Sequence, residues 1–296
     1  MPRPAPRSKK ETMTTAASDI REINIAHSPD SDDAFMFYGL ATNKIRVPGY
    51  KFSHTLTDIE ALNHRARTDQ FYDVTAISFH AYPYVQEHYT IMACGGSMGD
   101  SYGPMIVAAK PYTLDEVKKL RIAVPGTLTT AYLTLKLFAP DVETVTLPFD
   151  KIIPAVVSGE FDAGLIIHEG QLTYAHDGLK KIIDLGVWWH EQTGLPLPLG
   201  CNAIRRSLGT EVQTITTKAL RDSIQHAIDH REAALDYAMQ FARDLDTNLA
   251  NRFVGMYVNE RTLNYGDDGR EAIRRILDMG YERGIIPIKA NVEFVG

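Results

Sequence analysis

Short apolar runs alternate with stretches at helical spacing along most of this 296-residue chain, which predicts α/β layers. Residues 23–27 read as a strand and 33–42 as a helix. A helix over 58–67, a strand over 74–79, a helix over 80–87 and a strand over 90–94 follow. The glycine-rich turn GGSMGDSYGP then leads into the apolar run 105–109. After Pro111 a second series begins, with strands over 121–124, 142–147 and 163–167 and helices over 129–138 and 152–158. Long amphipathic helices are predicted over 220–244 and 269–283, the second closed by Gly284. In the first, Ile224, Ala227, Ile228, Ala234, Leu235, Ala238 and Met239 recur on one face.

Residues 111–200 thus hold a self-contained βαβαβ pattern set inside another α/β region. The chain would cross between two lobes near 103–109 and again near 194–205. The expected division is a large lobe of 21–103 and 206–296, a small lobe of 104–205, and a disordered tail of 1–20 rich in Pro, Ser, Thr, Ala and basic residues. Two lobes joined twice enclose a cleft, the usual setting for a small-molecule site.

Composition narrows the function. With 44% hydrophobic and 23% charged residues, the chain has the profile of a globular protein. Its formal charge of -6, with basic residues clustered only in the first ten positions, argues against nucleic acid as a partner. No secretory h-region and no run of about 18 apolar residues is present, so the expectation is a cytoplasmic protein with no membrane partner. Cys94 and Cys201 lack CxxC spacing and read as free core residues; a nucleophilic Cys94 would lack a visible base. No HxH or HExxH spacing suggests a metal.

Several places could carry chemistry. Val-Pro-Gly-Thr-Leu-Thr-Thr-Ala runs from a strand into a helix opening at Thr129 and Thr130. Free amides at a helix start bind anions, and threonines there either add donors or simply cap the helix. Gly95-Gly96-Ser97-Met98-Gly99 matches neither GxGxxG nor a P-loop. The sharpest candidate is His168, delivered at the carboxyl end of the apolar strand GLII, where open α/β sheets place their ligands. Glu169, next on a continuing strand, would point to the opposite face. His27 and His80 end strands and could reach a cleft, while His54 reads as a surface residue. Trp188 and Trp189 suit a buried aromatic cluster at least as well as a pocket wall. Asp30, Asp32 and Asp33 precede a helix, where carboxylates cap and oppose the dipole; the EF-hand pattern is absent.

These pieces resemble a known family. HSPDSDDAFMFYGL (27–40), TAISFHAY (75–82), CGGSMGDSYGPMIVA (94–108), IAVPGTLTTAYLTL (122–135), GEFDAGLIIHEGQLTY (159–174) and DLGVWWHEQTGLPLPLG (184–200) are similar to motifs of the 1,4-dihydroxy-6-naphthoate synthase family of the futalosine route to menaquinone. The resemblance implies a two-lobed fold like type II periplasmic binding proteins, a carbon–carbon lyase acting on cyclic de-hypoxanthine futalosine, and no cofactor or metal. It implies His168 as general base and Ser28, Ala76, Ile77, Ser78, Thr129, Thr130 and Ala131 at the substrate, an aromatic carboxylate carrying a sugar-derived ring. The first motif departs from the family's frequent SPCPND, since Asp30, Ser31 and Asp32 replace Cys, Pro and Asn; a lysine sometimes found at the Ala76 position is also missing. Two other functions stay open on sequence alone. One is a non-enzymatic receptor for a small organic anion, the other the chorismate dehydratase of the same route.

Overall fold

The computed structural model describes residues 20–68, 72–242 and 245–296, so the expected tail lies, apart from Ile20, outside the described residues. Along the chain run β1 (Arg21–His27), β2 (Tyr50–Leu56), β3 (Val74–Ser78), β4 (Tyr89–Met92) and β5 (Ser97–Gly99). Then come β6 (Met105–Ala108), β7 (Arg121–Val124), β8 (Glu143–Thr146), β9 (Ala163–Ile166) and β10 (Lys180–Asp184), and finally β11 (Leu197–Arg205) and β12 (Phe294–Val295). They form two mixed sheets. The larger runs β12-β4-β11-β3-β1-β2, with β5 also paired to β11; the smaller runs β10-β6-β9-β7-β8.

Burial explains the layering. Every residue of β3 is buried, the reading expected of a strand covered on both faces, whereas β1 alternates at its start, with Ile23 and Ile25 buried and Asn24 exposed. The helix Ser31–Ala41 is apolar nearly all round and buries Ala34, Phe35, Met36, Phe37, Tyr38 and Leu40 at the centre of the larger core. The smaller sheet has its own core on Ile106, Ile122, Val124, Leu135 and Leu165.

Most predicted elements lie within a few residues of where the pattern put them, but three differ. Residues 197–205, expected as a crossing within the small lobe, are the nine-residue β11 of the larger sheet, antiparallel to β3 and β4. Pro198 and Gly200 break its alternation at a register shift, which hid the strand. The helix expected over 220–244 starts earlier, as Thr210–Asp229, and breaks at His230 (φ −119°, ψ 47°) before Arg231–Ala238. That bend sets Ala234, Leu235 and Ala238 on the same core as Ile224 and Ala227, and the tail of the prediction, 243–244, falls outside the described residues. The span 80–87 holds only short turns of helix, Phe79–Ala81 and Tyr82–Val85.

The chain passes between sheets twice, from β5 to β6 and from β10 to β11. The two passages touch backbone to backbone. Leu185 N–H donates to Pro104 O at 2.9 Å, and a Cβ at Gly186 would fall 2.0 Å from Tyr102 O, so only glycine fits there. Asp184 caps the helix Leu185–Thr193 across this junction, accepting from Gly186 N–H at 2.9 Å and Val187 N–H at 3.2 Å.

Candidate active site

A cavity of about 130 Å³ lies between the two sheets. One water needs only ~10–15 Å³, so this space suits a small organic molecule. Its wall includes Ser28, Ala76, Ile77 and Ser78 from the larger sheet's side and Thr129, Thr130, Ala131 and His168 from the smaller sheet's side. Ile77 and Ala131 send their side chains into apolar cores, so main chain is what they offer the cleft.

His168 holds the geometry that organises the site. The strand ends at Ile166, and His168 itself is left-handed, with φ +61°. Histidine adopts that region more readily than bulky residues do, yet it remains uncommon. The turn swings the imidazole across the cleft, where Nδ1 lies 2.9 Å from Asp30 Oδ2. Nε2 is buried and meets no hydrogen-bonding partner among the described residues. Phe149 packs its ring at 4.8 Å, edge-to-face. Asp30 occupies the N-cap position of Ser31–Ala41 but makes no cap bond with its side chain. Its carboxylate, 2% exposed, accepts instead from Ser28 Oγ and faces His168.

The same turn brings Glu169 into the cluster. Because the strand stops three residues earlier, alternation no longer applies, and Glu169 Oε1 accepts from Ser31 Oγ at 3.2 Å rather than facing away. Asp33 caps backwards, accepting the Ser28 N–H at 2.8 Å. Burial opposes a charge on His168, but the Asp30 carboxylate and its hydrogen bond, with Glu169 and Asp32, outweigh it and raise the imidazole to about 9. Burial, then neighbouring carboxylates, raises Asp32 well above the usual range and Asp33 to about 7. Burial and Asp30 raise Glu169 too. At neutral pH the cluster therefore holds an imidazolium beside acids whose pKa values burial and mutual repulsion have raised.

The rest of the wall is built from satisfied groups. Ser78 N–H donates to Asn63 Oδ1 at 2.8 Å, and Ser78 Oγ accepts from Asn63 Nδ2 at 3.1 Å, so its hydroxyl proton stays available to the cleft. Thr129 is the N-cap of Thr130–Phe138, accepting from Tyr132 N–H at 3.1 Å and donating to Gly126 O at 2.9 Å. Thr130 Oγ1 donates to Leu199 O at 2.6 Å and accepts from His80 N–H at 3.2 Å. The threonine hydroxyls are thus engaged within the fold, and the anion-binding capacity left at this helix start lies in the amides of Thr130 and Ala131.

Other sequence candidates lie elsewhere. His27 stacks on Phe37 at 4.3 Å and bonds His54 at 3.2 Å, making His54 a partly buried partner rather than a surface residue. His80 bonds Thr129 O through Nδ1 at 3.1 Å and does not line the cavity. Trp189 is buried and donates to Pro196 O at 3.0 Å, and Trp188 packs on Phe138. Burial pushes the Cys94 thiol up to about 12, which suppresses thiolate chemistry. Among the described residues no cluster of His, Cys, Asp and Glu is arranged to hold a metal ion, and no helix is long and apolar enough to cross a membrane.

Comparison with known proteins decides the lineage. A sequence model of a family described as menaquinone biosynthesis matches residues 23–282. The chain belongs to that family. A 1,4-dihydroxy-6-naphtoate synthase of Thermus thermophilus is 38% identical over 266 residues, covering 90% of this chain and 96% of the relative. A crystal structure of an Archaeoglobus fulgidus protein is 48% identical, with a TM-score of 0.85, over 90% of this chain and 98% of that one. The alkanesulfonate-binding protein of Xanthomonas axonopodis, bound to MOPS, shares 14% identity at a TM-score of 0.68, over 92% of this chain and 96% of that one. That last likeness concerns fold alone, and it is the type II periplasmic-binding-protein fold that the motifs imply. The menaquinone-biosynthesis family members named among these relatives are enzymes.

Proposed function

We propose that this member of the menaquinone-biosynthesis family is a 1,4-dihydroxy-6-naphthoate synthase, converting cyclic de-hypoxanthine futalosine to 1,4-dihydroxy-6-naphthoate with release of a three-carbon fragment. The reaction removes a proton beside a carbonyl, expels the fragment and aromatises the ring. It needs a base, donors for an enolate-like oxygen, and an anchor for the carboxylate. His168 serves as the base: Asp30 fixes Nδ1, and the buried Nε2 is the atom left for substrate. That single arrangement carries the reading. The Ser78 hydroxyl, held by Asn63, supplies a donor, and the Thr130 and Ala131 amides hold the carboxylate. The two lobes close over the substrate and exclude water. The reaction takes place in the cytoplasm and needs no cofactor from outside.

Because Asp30 keeps His168 protonated at neutral pH, the base form grows as pH rises towards about 9. The test is direct. Purified protein mixed with cyclic de-hypoxanthine futalosine, without added metal or nucleotide, should release a naphthoate followed by its absorbance. Consumption of chorismate with no naphthoate formed would overturn the assignment in favour of the dehydratase. Tight binding of the futalosine derivative with no turnover would overturn it in favour of a receptor.

A further inference from the structure

One polar atom in the cleft wall remains without a task. Asn202 of β11 is 1% exposed and lines the cavity, and its Oδ1 is buried without a hydrogen-bonding partner among the described residues. Its other end is anchored: Nδ2 donates to Gly95 O at 2.8 Å. Since Gly95 O can only accept, the amide must turn its nitrogen there and its oxygen away, which fixes the orientation chemically. Gly95 is shaped for the contact. It has φ +76°, its N–H donates to Thr262 O at 2.7 Å, and a Cβ there would press to 2.8 Å against Nδ2. The glycine-rich turn, which matches no nucleotide motif, thus finds its use in letting Asn202 sit close.

Sheet register places this oxygen among residues already assigned to substrate. Asn202 pairs with Ala76 and Gly200 with Ser78, so side chains of Ala76, Ser78 and Asn202 share the face that looks into the cleft. A buried carbonyl oxygen without a partner is costly, and such atoms in folded proteins are few. Oδ1 has no proton to give, so it repels carboxylate and carbonyl oxygens and selects an O–H or N–H. We infer that Asn202 Oδ1 accepts a hydroxyl of the substrate's sugar-derived ring and so positions that ring beside Ser78. This rests on the function proposed above, because the hydroxylated ring is part of that substrate.

The experiment compares two ligands on wild type and Asn202→Ala: cyclic de-hypoxanthine futalosine as substrate, and 2-naphthoate, which has the carboxylate and aromatic rings but no hydroxyl, as competitive inhibitor. Loss of the acceptor should raise KM about three- to tenfold, the range of one hydrogen bond, with kcat little changed. The inhibition constant of 2-naphthoate should stay within about twofold of wild type, which a merely loosened cleft would not allow. An unchanged KM in Asn202→Ala or an equal weakening of both ligands would each overturn the inference. Failure of wild type to turn over the futalosine derivative is a separate result, and it would count against the proposed function itself.

Discussion

Two histidines sit just past the ends of strands, and they are wired alike until the last atom. His80 and His168 each bind through Nδ1, and each leaves a buried Nε2 without a partner among the described residues. The difference is what Nδ1 meets. His80 faces the Thr129 carbonyl, and burial drives its imidazole down to about 4, leaving it neutral. His168 faces a carboxylate, which overcomes the same burial and raises it to about 9. A dipole cannot hold a proton against desolvation; a full charge at hydrogen-bond distance can. Position settles the rest, because only His168 of the pair lines the cavity.

Replacing each ring tests this contrast most severely. His168→Ala should lower kcat by about 10²- to 10⁴-fold, the usual share of a general base, with KM changed far less. His80→Gln should show its effect in melting temperature, because the His80 ring holds the Thr129 carbonyl without lining the cavity. Steady-state kinetics beside thermal melts of both variants separates the two. A His168→Ala enzyme with near-wild-type kcat would remove the base from the account while leaving the family intact.

Asp30→Asn gives His168 a neutral partner of the same size and so makes it resemble His80. Turnover should fall by about 10²-fold or more, because orientation and charge stabilisation are lost together. Measured kcat within a few fold of wild type would mean that Asp30 serves the fold alone. The smallest expected effect lies in the rest of the wall. Thr129→Ala removes the N-cap bond to Tyr132 and should cost about 1 kcal/mol of stability with kcat nearly unchanged, read by denaturant unfolding and initial rates.

The comparison also marks what the sequence could and could not disclose. His168 was legible because an apolar strand announces its own end, and strand ends line clefts in α/β folds. Asp30 was visible as an acid before a helix, but its partner lies 138 residues away, and nothing local distinguishes an N-cap from an ion pair reaching across a cleft. Glu169 departs from strand alternation because the chain turns left-handed at His168 after Ile166, a conformation that composition does not signal at a histidine. The two layers followed from periodicity, whereas β11 did not, since Leu-Pro-Leu-Gly-Cys-Asn trades alternation for a bulge and a polar cleft-facing residue. The sequence pattern puts Thr129 and Thr130 at a helix start, yet only their contacts with Gly126, Tyr132, Leu199 and His80 show that both hydroxyls are engaged.

The central claim is that the Asp30 carboxylate sets the protonation of a catalytic His168. The pH dependence of kcat/KM in wild type and in Asp30→Asn tests it most directly. A base must be deprotonated to act, so wild-type kcat/KM should rise with pH along a limb centred near 9. In Asp30→Asn burial remains and the largest opposing charge is gone, so the limb should move to lower pH by about one unit or more. Two profiles with the same limb, whatever their heights, would contradict the account.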